Sequence, residues 1–168
     1  MEFRKAKASE LNCIMEIIES ARAFLKSQKI DQWQNDYPNS ETILSDMEKG
    51  IGYVALDEEE VLAYVAIDTT GEPTYAKIEG AWKTNEAYGV VHRMAIGTEN
   101  RGLGLSQILM LYAEECCLKQ GIGHMRIDTH AQNQIMQRLI KKVGYEYCGI
   151  IHVSDGTPRY AYEKEIKA

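Results

Sequence analysis

The sequence lacks the features that mark membrane and nucleic-acid-binding proteins. Its 168 residues contain no run of 18 apolar residues for a membrane span, and the start, Met1-Glu2-Phe3-Arg4-Lys5, has no signal-peptide core. Basic residues are few, since 19 Lys and Arg stand against 25 Asp and Glu, for a net charge of -6. Nucleic-acid binding depends on clustered basic residues. We therefore expect one cytoplasmic domain over residues 1–168, with neither a membrane nor a nucleic-acid partner.

Metal-ligand spacing is also missing from the sequence. The four cysteines form no C-x-x-C pair, and the four histidines never fall at ligand spacing. Cys116 and Cys117 are neighbours in a predicted helix and so point in different directions. We expect no metal site, and reduced thiols packed in the interior.

Two common phosphate-binding motifs, the Walker loop and the G-x-G-x-x-G fingerprint, are absent as well. The chain has instead a glycine turn, Arg101-Gly102-Leu103-Gly104-Leu105-Ser106, which follows the strand-like segment Val90–Ile96. It leads into a helix whose predicted apolar face is Leu105, Ile108, Leu109, Tyr112 and Cys116. The first N–H groups of such a helix lack partners and lie at the positive end of its dipole, where phosphate oxygens bind. The turn therefore predicts a pyrophosphate-binding cradle.

Three motifs resemble those of one family. The hexapeptide resembles the Q/R-x-x-G-x-G/A signature of the GNAT superfamily of acetyl-CoA-dependent acyltransferases, with Ser106 in place of the last small residue. Met94-x-Ile96 resembles the end of the GNAT strand that pairs with the pantetheine arm of the cofactor. Asn133-x-x-Met136-x-x-Leu139-Ile140-x-Lys142-x-Gly144-Tyr145 resembles the second signature, N-x-x-A-x-x-L-Y-x-K-x-G-F.

The resemblance implies that acetyl-CoA is the co-substrate and that three parts of the chain bind it. These are the strand residues Met94, Ala95 and Ile96, the cradle 101–106, and Asn133. Asn133 is also a suitable helix N-cap, and the two roles are compatible.

The order of predicted elements agrees with the GNAT layout. Apolar and amphipathic segments follow the order β, α, α, three strands, α, β, α, β, β. The strand–helix–strand series in the second half predicts parallel pairing near the sheet centre. We predict an α/β (α+β) protein with the GNAT acyl-CoA N-acyltransferase fold, a mixed central sheet of about seven strands flanked by about four helices.

The resemblance implies direct attack of an amine on the thioester, a reaction in which positioning supplies much of the rate. Two candidate general bases are His92, on the strand that reaches the cofactor arm, and Glu79, on the long loop Thr69–Ala87. His92 is equally suited to an ordinary packed role, and alternation places it on the same side as Met94. His130 and His152 are weaker candidates.

The position of the family's usual tyrosine acid is held by Ile140, which has no proton to give. Any such acid would have to come from elsewhere on the chain. Tyr145, Tyr160 and Tyr162 on the following strands are the candidates, and each also suits an ordinary role in the sheet.

The acceptor pocket is expected to form from loops. Trp33 and Tyr37 between the first two helices, and Trp82 on the long loop, are its candidate residues, with simple loop packing as the alternative. The acidic net charge favours a small cationic acceptor. We expect an N-acetyltransferase that acts on a primary amine. A non-catalytic acyl-CoA-binding or sensing module would carry the same motifs, and homodimers are common in such families.

Overall fold

A computed structural model describes residues 1–167 as eight strands and four α-helices. The strands are β1 (Glu2–Lys5), β2 (Gly52–Asp57), β3 (Glu60–Asp68), β4 (Glu79–Gly80), β5 (Gly89–Ile96), β6 (His124–Thr129), β7 (Glu146–His152) and β8 (Pro158–Glu165). The helices are α1 (Leu11–Ser27), α2 (Ser40–Glu48), α3 (Leu105–Lys119) and α4 (Gln134–Lys142). One mixed sheet has the order β1-β2-β3-β5-β6-β8-β7-β4. The predicted fold class is confirmed.

Parallel pairing occurs where the strand–helix–strand series predicts it. Strands β5 and β6 pair in parallel at Gly89↔Met125 and Val90↔Arg126. The pairs β1–β2, β2–β3, β6–β8, β7–β8 and β4–β7 are antiparallel.

The short strand β4 lies inside the segment that the sequence predicts to be a loop. It pairs with β7 at Gly80↔Gly149, and both glycines have positive φ, 132° and 148°. A Cβ on Gly80 would overlap the carbonyl oxygen of Cys148, and one on Gly149 would overlap that of Glu79. Close backbone approach therefore requires glycine at both positions.

The chain divides into two compact units, and the first comprises Met1–Ile67 with His92–Leu109. Its core forms because α1 repeats isoleucine at helical spacing. Buried together are Ile14, Ile17, Ile18, Ile43, Val54, Leu56, Tyr64 and Ala95.

The second unit comprises Asp68–Val91 and the chain from Met110 onward. Its core cluster contains Tyr75, Val90, Ile151 and Ala161. Beside this cluster the Arg126 guanidinium contacts two aromatic rings, with its Cζ 4.1 Å from the Trp82 centroid and 3.9 Å from that of Tyr88. The single-domain assignment stays a prediction.

Two local predictions are wrong. Ile108 on α3 is 41% exposed, although the sequence places it on the buried face. Apolar residues surround most of α3, so periodicity alone does not select one face. Cys13 is an exposed thiol rather than a packed one.

Within residues 1–167, no helix combines the length and the apolar character that crossing a membrane requires. The same part of the chain contains no group of three or more potential metal-ligating side chains.

Candidate active site

The glycine turn joins the 3-10 turn Thr98–Asn100 to the start of α3. Gly102 and Gly104 have φ of 77° and 80°, in the left-handed region that favours glycine. A Cβ at either position would meet no atom within 4 Å, so there is open space above both. The hydrogen bond from Ile108 N to Gly104 O, 3.2 Å, closes the first helical turn. The amides at the start of the helix precede that bond and have no intrahelical acceptor.

Arg101 anchors the turn to α1. Its Nη2 donates to Ser20 Oγ at 3.1 Å, and its Cζ lies 4.9 Å from the centroid of the Phe24 ring. Within the turn, Leu103 is exposed, whereas Leu105 is buried. Ser106 is half-buried. The turn is therefore fixed on both sides while its glycines remain accessible.

Strand β5 carries the predicted pantetheine-binding residues. Ala95 is buried in the first core cluster, and Met94 and Ile96 are half-buried. Arg93 has φ of 53°, although it lies within the strand. Strict alternation holds only through extended residues, so the rule that places His92 beside Met94 does not apply across Arg93. His92 itself is half-buried.

A buried polar network holds Arg93. Its Nε and Nη2 donate to the two carboxylate oxygens of Asp46 on α2, at 2.8 and 2.6 Å. Its Nη1 donates to the Tyr37 hydroxyl oxygen at 2.9 Å, and the Tyr64 hydroxyl donates to Asp46 Oδ2 at 2.6 Å. Asp46 is 2% exposed. Burial, and then the Asp46 carboxylate, raise the pKa of Tyr64, which keeps it a hydrogen-bond donor.

This network was not predicted from the sequence, although one signal for it is present there. Ile43, Asp46 and Met47 fall at the i, i+3, i+4 spacing of one face of α2. An acid on an otherwise apolar face predicts a buried partner, because an unpaired buried charge is costly. The spacing does not identify that partner as Arg93.

Asn133 caps helix α4. Its Oδ1 accepts from Met136 N at 3.1 Å, as the capping alternative predicts. Its contact with the cofactor stays a prediction.

Glu79 is exposed on the edge strand β4, and β6, β8 and β7 lie between β4 and β5 in the sheet order. The role of Glu79 or His92 as the general base stays a prediction.

The three candidate pocket residues lie in different surroundings. Trp33 is half-buried against the first core cluster and has φ of 63°. Tyr37 is exposed and accepts from Arg93. Trp82 donates through Nε1 to Tyr75 O at 2.9 Å and stacks on Arg126, so it packs its own loop.

A surface pocket of about 430 Å³ in the first unit contains none of these three residues. It lies beside the start of α1, and among its lining side chains are Glu10, Glu16, Glu59, Glu60 and Glu99.

Ile140 is fully buried in the interior, which suits its place in α4 but provides no acid. Among the tyrosines that could replace it, Tyr145 is buried and its hydroxyl contacts Met125 Sδ at 3.6 Å. Burial, and then the Glu114 carboxylate, raise the pKa of Tyr145 well above its usual value. Burial also raises the pKa of Tyr162. A raised pKa makes both weaker proton donors.

Along the chain, the glycine turn and α3 connect the parallel strands β5 and β6 of a mixed sheet, which defines an α/β protein whose helix start favours an anionic ligand. The chain matches the Acetyltransferase (GNAT) family over residues 15–145. This protein therefore belongs to the GNAT family of acetyltransferases.

Solved structures agree with that assignment. An acetyltransferase of the GNAT family from Streptococcus agalactiae is 34% identical, with a TM-score of 0.89, over 99% of this chain and 96% of that one. A GNAT-family acetyltransferase from Listeria monocytogenes is 18% identical, with a TM-score of 0.77, over 98% and 94%. YncA from Salmonella typhimurium, solved with its cofactor acetyl-CoA, is 15% identical, with a TM-score of 0.70, over 100% and 95%. These two more distant structures share the fold. No curated protein matched the sequence.

Proposed function

We propose that this protein is an N-acetyltransferase that moves the acetyl group of acetyl-CoA to a primary amine of a small cationic substrate. The observation that carries the proposal is the glycine turn, where Gly102 and Gly104 open the space above the first amides of α3. The amides of residues 102–106 bind the pyrophosphate there, since the positive end of the helix dipole favours an anion. A side chain at either glycine would occupy that space.

The rest of the cofactor lies along β5. The backbone of Met94, Ala95 and Ile96 pairs with the pantetheine arm, and Asn133 contacts the arm from the start of α4. Ala95 fixes the strand in the core of the first unit, so the neighbouring backbone is held in place. Because the amine attacks the thioester directly, this positioning supplies much of the rate.

A general base removes a proton from the substrate ammonium, and the neutral amine that results attacks the thioester. His92 is the leading candidate, because it lies on β5 two residues before the thioester-binding segment and histidine titrates near neutral pH. Glu79 is the competing candidate.

The two bases can be separated by their pH–rate profiles. We expect the pH profile of wild-type kcat/KM to show a limb near neutrality, because His92 in the unliganded enzyme must be in its neutral form to act as a base. That limb should disappear in His92→Gln and persist in Glu79→Gln. The reverse pattern would assign the role to Glu79, and an unchanged limb in both variants would reject both residues.

The acidic surface supports a cationic acceptor. The chain carries 25 acidic against 19 basic residues, so its long-range field attracts cations. Such attraction is weakened by salt, whereas binding through a neutral apolar pocket is not.

Release of free CoA should therefore be measured against a panel of primary amines matched in size and differing in charge. We expect the highest kcat/KM for amines with a second positive charge, falling as ionic strength rises. Mass spectrometry of the product should show one added acetyl group. Acetyl-CoA binding without CoA release from any amine would instead indicate an acyl-CoA-binding or sensing module.

A further inference from the structure

Strand β5 contains a backbone conformation that the sequence does not require. Arg93 has φ of 53°, and among residues 1–167 it is the one non-glycine residue with positive φ inside a strand. This conformation is unfavourable for any residue with a Cβ. It persists only where the surrounding structure imposes it, and such residues are concentrated at functional sites.

The contacts of the Arg93 side chain show what imposes it. Two parallel hydrogen bonds to Asp46 hold the guanidinium in one plane, and a third goes to Tyr37. The Arg93 side chain is 12% exposed, and Asp46 accepts a further bond from Tyr64. A bidentate pair of this kind fixes direction as well as distance. The network joins β5 to α2, to β3 and to the loop before α2, all within the first unit.

Arg93 is flanked on the chain by His92 and Met94, which the proposed function assigns to proton removal and to cofactor binding. A left-handed residue between them changes the direction in which the strand presents its neighbours. The Arg93 guanidinium is occupied by Asp46 and Tyr37 and so acts through the backbone.

We propose that Arg93 and Asp46 are positioning residues for acetyl transfer: their ion pair holds the left-handed conformation of Arg93 in β5, which orients His92 and the Met94–Ile96 backbone toward each other. This inference rests on the proposed function. It also accounts for Tyr37, because the bond to Arg93 fixes one candidate wall of the acceptor pocket to the same strand.

The test separates the left-handed conformation of Arg93 from the contacts that hold it. Both variants carry Asp46→Asn, because the Asp46 charge would otherwise stay buried without its arginine. In that background Arg93→Ala and Arg93→Gly lose the same contacts. They differ in that glycine adopts positive φ readily and alanine does not. We expect the double variant with Arg93→Ala to have a kcat about tenfold to a hundredfold below that of the wild type, with the KM for acetyl-CoA changed by less than about threefold. The double variant with Arg93→Gly should have a kcat at least about threefold higher than the alanine variant.

Arg4→Ala is the matched control. It removes another bidentate arginine–carboxylate pair of the first unit, with Glu10 at 2.6 and 3.2 Å, and should leave kcat unchanged. Rates are compared per folded molecule, well below the melting temperature of each variant. If the alanine variant does not fold, the single change Asp46→Asn tests the ion pair by itself, with a fall in kcat expected.

Equal kcat in the alanine and glycine variants, or wild-type kcat in Asp46→Asn, would overturn the proposal. If the wild type transfers acetyl groups and the variants keep its kcat, this inference alone is overturned. A wild type that binds acetyl-CoA but transfers no acetyl group to any amine would overturn the proposed function and this inference with it.

Discussion

Gly104→Val is expected to weaken acetyl-CoA binding by at least about a hundredfold. The valine side chain would occupy the open space above the first amides of α3, where the pyrophosphate is expected to bind. A hydrogen bond to a charged group contributes about 1.5–3 kcal/mol, so losing two of them costs about 3–6 kcal/mol. Titration calorimetry with acetyl-CoA measures this loss directly.

Gly121→Val is the matched control for this prediction. Gly121 has φ of 75°, close to the 80° of Gly104, and a Cβ there also meets no atom within 4 Å. It follows the opposite end of the same helix, so valine brings similar backbone strain without approaching the cradle. We expect a comparable fall in melting temperature and an unchanged Kd. Wild-type affinity in Gly104→Val would show that the cradle assignment is wrong.

Arg126→Ala is expected to lower the free energy of unfolding by about 3–5 kcal/mol, the usual effect of breaking a buried ion pair. Arg126 is 5% exposed and donates through Nε to Glu163 Oε1 at 2.8 Å, while Glu163 is 1% exposed. Its Nη2 also donates to Thr84 O at 2.7 Å. The change would remove the cation that contacts Trp82 and Tyr88 and would leave the buried Glu163 carboxylate with the Lys83 N–H but without its cation.

For a chain of this length the loss corresponds to a fall in melting temperature of roughly 6–20 °C. Arg159→Ala is the matched control on β8, because the hydrogen bonds that Arg159 donates within residues 1–167 go to its neighbours Thr157 and Pro158. It should change stability by less than about 1 kcal/mol. The double change Arg126→Met with Glu163→Leu should recover much of the loss, since a well-packed apolar pair can replace a buried ion pair. A fall in melting temperature of less than about 3 °C in Arg126→Ala would contradict the stabilising role of the Arg126–Glu163 ion pair.

Local sequence patterns were sufficient to predict the parts of the structure that depend on nearby residues. The glycine turn, the Asn133 cap and the β5–α3–β6 unit each follow from residues a few positions apart. The fold class followed from their order along the chain. Motif resemblance then identified the family, which periodicity alone could not do.

The features that sequence reasoning overlooked depend on long-range partners. Asp46 and Arg93 are 47 positions apart, and Arg126 and Glu163 are 37 apart, so no local pattern connects them. Strand β4 has two residues, too few for any periodicity to show. Trp82 stays a candidate pocket residue, and its contacts with Tyr75 and Arg126 could not be predicted from its aromatic character alone.

The most direct test of the central claim is a crystal structure of the protein with acetyl-CoA. The account predicts that the pyrophosphate oxygens lie within hydrogen-bond distance of the amides of residues 102–106. It also predicts that the thioester lies beside the backbone of Met94 to Ile96, and that Arg93 keeps its positive φ. A pyrophosphate bound elsewhere on the chain, with the glycine turn left unoccupied, would contradict it.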